Sequence, residues 1–124
     1  MEHKISTDKS VKNSSELLPF TKKLSSEGIK YFELLNEENA SKMRAGHVTL
    51  KQGESIGEHS TGDYEEMLII ISGEGEVEAE GVGRQKVTAG EIAYNPPNTK
   101  HNVINNGSKT MEYIFVVSIA YIFG

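Results

Sequence analysis

Cysteine is absent from this 124-residue chain, and so is tryptophan. Without thiols there is no disulfide staple, no thiolate nucleophile, no iron–sulfur cluster and no cysteine-ligated zinc. Arginine is confined to Arg44 and Arg84, and the lysines are scattered among 18 acidic residues, leaving a formal charge of -5. A duplex-binding face needs a clustered basic patch, so nucleic acid is not an expected partner. No apolar run approaches the roughly 18 residues of a membrane helix, and the start MEHKISTDKSVKNSSE has neither the basic flank nor the apolar stretch of a signal peptide. No membrane partner is expected, and the cytoplasm is the expected location.

Long amphipathic helices are also missing, at least after residue 43. What stands there instead is a series of short apolar or alternating segments: Met43–Leu50, Glu66–Ser72, Glu76–Glu80, Arg84–Val87, Ile92–Asn95, His101–Asn105 and Met111–Tyr121. Between them lie KQGESIGEHSTGD, SGEG, EGVG, TAGE, PPNTK and NNGSK, which hold the residues that turns demand. The spacing predicts an all-β, mostly antiparallel barrel or sandwich. Upstream, Ile29–Leu34 reads as one more strand, and Pro19 and Gly28 limit ELLPFTKKLSSEG to a short strand or a helical turn. Residues 1–16 are polar and read as a flexible arm, leaving 17–124 as a single domain.

Along the strands, Val77 alternates with Glu76, Glu78 and Glu80, which gives one wet face. Met67–Ile71 and Tyr113–Phe123 are apolar on both faces. A small sheet buried on both sides has to be covered from outside, either by the N-terminal segment or by a second copy of the chain. A homodimer is expected.

Four histidines are present, at positions 3, 47, 59 and 101. His3 falls in the polar arm and His47 inside a strand, where it reads as a structural or pocket-wall imidazole. His59 and His101 each sit beside a Gly/Pro-punctuated turn at a strand edge, where a rigid scaffold presents reactive groups. His59 and Thr61 share a strand phase, and the turn at Gly62–Asp63 brings the next strand back with Glu66 facing the same interior. Period two then sends Leu68, Ile70 and Ser72 inward and Glu65 outward. A carboxylate on such an apolar strand needs a positive partner. Two imidazoles and one carboxylate suit Fe(II), Mn(II), Co(II) or Zn(II) with positions left open.

The stretch Gly53 to Gly73 closely resembles the first motif of the cupin superfamily, G-x5-H-x-H-x3–4-E-x6-G, through Gly53, His59, Glu66 and Gly73. Gly90, Pro96, His101 and Asn105 resemble the second motif, G-x5-P-x-G-x2-H-x3-N, with Asn98 in place of its glycine. The ordered pair covers most of residues 43–117. The resemblance implies a cupin-type double-stranded β-helix, a jelly-roll barrel, holding a divalent metal (Fe, Mn, Zn, Ni or Co) on His59, Glu66 and His101. Thr61 stands where the family carries its second histidine. Two outcomes follow: the remaining triad binds metal, with Thr61 as a hydrogen-bonding neighbour, or the metal has been lost and the cavity takes a small molecule without it.

Thr61, His47 and Tyr94 are the candidate substrate-binding side chains. Three functions are compatible with this reading: a metal-dependent oxygenase or isomerase acting on a small polar metabolite, a non-enzymatic small-molecule sensor, or a dimer with a vestigial site. The resemblance does not choose between them.

Overall fold

The computed structural model describes residues 16–25 and 28–120. The expected arm over residues 1–16 therefore lies almost wholly outside the described residues, as does the apolar end Tyr121–Gly124. Nine strands follow one another: β1 (Tyr31–Leu35), β2 (Arg44–Leu50), β3 (His59–Ser60), β4 (Tyr64–Ser72), β5 (Glu74–Ala79), β6 (Gly83–Thr88), β7 (Ile92–Asn95), β8 (Lys100–Ile104) and β9 (Met111–Ile119). Residues 17–25 form neither strand nor helix. No helix among the described residues is long and apolar enough to cross a membrane.

Every pairing is antiparallel, and the ladders build two sheets, a five-stranded one in the order β1-β2-β9-β4-β7 and a four-stranded one in the order β3-β8-β5-β6. Here the structure corrects the expected jelly-roll barrel: no curled, closed barrel forms, and among the described residues no ladder joins one sheet to the other. The physical reason lies at the edges. β7 is four residues long and ends at Pro96 and Pro97, which have no N–H to donate, while β3 is only two residues. Edge strands that short cannot carry a ladder across to the facing sheet.

Period-two burial builds the core between the sheets. Along β4, Glu66, Leu68 and Ile70 are buried while Met67 and Ile71 are exposed. Leu68 pairs with Phe115 and Ile70 with Tyr113 across β4 and β9, and Val48 joins Tyr113 from β2. Phe115 packs its ring over Gly46, where a Cβ would come within 2.7 Å of Cζ. The phase of β4 breaks at a register shift between Ile70 and Ser72. Ser72, expected to point inward, instead donates its hydroxyl to Glu112 Oε2 at 2.9 Å, because the extra residue turns it to the other face.

The outer face of the five-stranded sheet is covered unevenly. Over β2 it is buried, and the Ser25 N–H of the N-terminal segment reaches His47 there. Over β4 and β7 it carries Met67, Ile71, Ile92 and Tyr94 exposed.

Candidate metal centre

The three residues expected to form the site meet between the two sheets. His59 on β3 and His101 on β8 are register partners in the four-stranded sheet, with ring centroids 4.2 Å apart. Glu66 faces them from β4, which belongs to the opposite sheet rather than being the neighbour of β3. One ligand atom from each of His59, Glu66 and His101 can be chosen so that all lie within 4.8 Å of one another. Glu66 and His101 are almost completely buried, at 1 and 2% exposure.

Backbone carbonyls fix the imidazoles. His59 Nδ1 lies 2.7 Å from Gly57 O and His101 Nδ1 lies 3.1 Å from Thr99 O. A carbonyl only accepts, so each Nδ1 carries a proton and donates it, which leaves Nε2 as the ring nitrogen able to face a metal. His101 Nε2 is 2.9 Å from Glu66 Oε1. A bare imidazole nitrogen and a carboxylate oxygen are both acceptors, so this buried contact calls for a cation or a proton between them. The donor set, two imidazole nitrogens and a carboxylate converging from two sheets, fits a divalent transition metal with open positions.

Asn95 orients the carboxylate: its Nδ2 donates to Glu66 Oε1 at 3.0 Å from the register partner position on β7. Sequence reasoning placed it at the end of the Ile92–Asn95 strand but gave it no role, since a strand-end asparagine shows nothing of what it bonds. Thr61 is engaged with the backbone. Its hydroxyl donates to Pro96 O at 2.8 Å and accepts the Thr99 N–H at 3.1 Å, tying β3 to the loop that leads into His101. That loop bends at Asn98, whose φ of 54° is left-handed, which explains how asparagine can stand at a motif position written as glycine.

The other two candidates lie elsewhere. His47 sits on the outer face of the five-stranded sheet, paired with Ile114, with Nδ1 accepting the Ser25 N–H and Nε2 donating to Glu112 Oε1 at 2.9 Å. It lies under the N-terminal segment, on the opposite side of the sheet from Glu66. Tyr94 also points outward from β7, and its hydroxyl donates to Glu65 Oε1 at 2.8 Å. That hydrogen bond, more than burial or the Glu65 charge, holds the Tyr94 phenol above its ordinary pKa.

Where the sheets fail to join, a cleft of about 770 Å³ opens between β5–β6 and β7. Its lining includes Ala79, the register partner of His101, together with Asn95 and Thr99, so it ends one side chain away from the triad. The volume is that of a small-molecule site.

A family model described as Cupin domain matches residues 46–117. Among solved structures, the chain is similar to an RmlC-like cupin family protein with a double-stranded β-helix fold from Methanocaldococcus jannaschii, at 25% identity over 82% of this chain and 94% of that one, with a TM-score of 0.67. It is also similar to the Cnp3 cupin domain of Schizosaccharomyces pombe (16% identity, 73% of this chain, TM-score 0.65), spanning 60% of that chain's length. A sugar phosphate isomerase from a cupin superfamily, from Silicibacter pomeroyi, is matched at 15% identity over 73% of this chain and 59% of that one, with a TM-score of 0.62. No protein of curated function matches the sequence.

Proposed function

The chain belongs to the cupin domain family, and on that premise we propose that it is a metal-dependent enzyme of the oxygenase or isomerase kind, acting on a small metabolite through a divalent transition metal on His59, Glu66 and His101. The observation that carries this is the approach of His101 Nε2 to Glu66 Oε1, 2.9 Å apart with both side chains buried, while the other imidazole nitrogen is already donating to a carbonyl. A metal there would supply Lewis acidity and open positions for substrate oxygens. The side chains divide the remaining work. Gly57 O and Thr99 O hold the two rings with Nε2 presented, and Asn95 aims the carboxylate. We read Thr61 as standing where the family's second histidine stands. Its commitment to Pro96 and Thr99 leaves that coordination position to water or substrate. We also propose a homodimer in which the outer face over β4 and β7 is covered by a second copy, on the strength of the exposed Met67, Ile71, Ile92 and Tyr94.

A binding role without turnover is the second reading. It is favoured by the cleft's acidic side chains, since Glu80 and Glu91 are each engaged by a backbone N–H, of Lys100 and Thr88, instead of standing free for proton transfer. Elemental analysis by mass spectrometry of untagged protein, with His101→Ala beside it, tests the metal. One equivalent of iron, manganese, nickel, cobalt or zinc that vanishes in the variant is expected. No metal in either protein after reconstitution with Fe(II), Mn(II) and Zn(II) would overturn the reading.

A further inference from the structure

The cleft beside the triad has a chemical character of its own. Its inward-facing positions on β5, β6 and β7 are Val77, Ala79, Gln85, Val87, Ala93 and Asn95, and none of these carries a charge. Three charged residues reach the lining, and each is engaged elsewhere. Lys86 Nζ lies 3.4 Å from Glu74 Oε2, Glu80 accepts the Lys100 N–H, and Glu91 accepts the Thr88 N–H. Arg84, the other cation of β6, pairs with Glu76 and Glu78. With the three charged side chains engaged elsewhere, Gln85, Asn95 and Thr99 are the uncharged polar groups left beside the apolar Val77, Ala79, Val87 and Ala93, too few to replace the hydration of a polyhydroxylated or multiply charged ligand. An aliphatic body would gain by burial there.

Gln85 is the inward polar group of β6. It pairs with Val77, which pairs with Val103, while His101 pairs with Ala79 two residues farther along β5. Strand spacing and rise put Gln85 about 12 Å from His101, Cα to Cα, across two strands. We propose that the cleft seats the uncharged, largely aliphatic body of the ligand, with one hydrogen-bonding group on that body read by Gln85 and its oxygen-bearing head placed at the triad. The placement of the head rests on the metal reading above, whereas the character of the cleft does not.

The test is a titration of 15N-labelled protein with two probe series, followed by amide shifts. Linear monocarboxylates from acetate to octanoate are added to Zn(II)-loaded protein, and n-butanol, n-hexanol and n-octanol to protein with and without metal. Wild type is expected to bind the longer members of each series about fourfold more tightly per added methylene until the cleft is full, with shifts at Ala79, Gln85, Ala93 and Thr99. Gln85→Glu, a change at an exposed position, is expected to retain zinc and acetate but to weaken hexanoate at least tenfold. His101→Ala is expected to lose zinc and acetate and to keep hexanol. A flat dependence on chain length, shifts confined to other parts of the molecule, or unchanged hexanoate binding in Gln85→Glu would overturn the proposal. Failure of zinc to load, with the alcohols still binding in the cleft, would sink the metal reading and leave the aliphatic cleft standing.

Discussion

Asn95 has one visible task, since its Nδ2 donates to the carboxylate oxygen that faces His101. Replacing Asn95 with leucine keeps the volume and removes the donor. We expect a 10- to 100-fold loss of metal affinity, the usual effect of removing a group that orients a ligand, with a chelator competition titration as the measurement. An unchanged affinity would mean that the two sheets alone aim Glu66. Gly46 is a residue of the opposite kind, needed for what it lacks. A methyl group there meets the Phe115 ring in the middle of the core, so Gly46→Ala is expected to destabilise the fold by about 1–3 kcal/mol, read by urea unfolding. That His59, Glu66 and His101 would come together was legible from the motif resemblance and because histidine beside glycine and proline, and glutamate on an apolar strand, are both out of place in an ordinary core. The roles of Asn95 and of the carbonyls of Gly57 and Thr99 were not legible, because backbone acceptors and a strand-end amide leave no chemical mark on a sequence.

For the elements, period-two alternation and turn residues located eight of the nine strands, most to within two residues. β3 was legible only as the strand phase shared by His59 and Thr61, because two residues have no period of their own. Pairing was harder. Glu66 was expected on the strand next to His59, yet β3 pairs β8 and β4 pairs β9 and β7, so the site is closed across the sheets and not along one of them. A hairpin and a crossover share the same turn chemistry, so the residues at 61–63 could not separate them. The loop from Pro96 to Thr99 shows what an element of this kind needs. Thr61→Val keeps the shape of the side chain and deletes both of its hydrogen bonds. It is expected to cost about 1–3 kcal/mol and to weaken metal binding by loosening His101. Asn98→Val, which forces a β-branched residue into a left-handed conformation, should cost about 1–2 kcal/mol, whereas Asn98→Gly should be nearly neutral. Thermal melts of the three variants with and without metal separate loop strain from ligand positioning.

Over the whole molecule, the two sheets meet through packed side chains and, among the described residues, without a shared ladder. Closure was the part of the architecture that the sequence pattern could not decide, because it depends on whether short edge strands reach one another, and strand pattern carries no record of that. The triad crosses this seam, with His59 and His101 on one sheet and Glu66 on the other. An ion held by all three is therefore a clasp between the sheets, and its binding free energy adds to the stability of the folded state, provided the unfolded chain binds it weakly. At a free metal concentration about a thousand times the dissociation constant that linkage amounts to about 4 kcal/mol. For a domain of this size it corresponds to a rise of about 10–20 °C in Tm. Addition of a chelator should lower Tm by that amount, and His101→Ala should melt at the same temperature with and without chelator. Glu66→Gln should behave like His101→Ala if charge neutralisation across the seam is what matters, since the amide keeps the shape and loses the negative charge. A Tm in wild type that ignores the chelator, in protein shown to have carried metal, would mean that the ion sits at the seam without fastening it, and that side-chain packing from Leu68, Val103, Tyr113 and Phe115 holds the sheets together unaided.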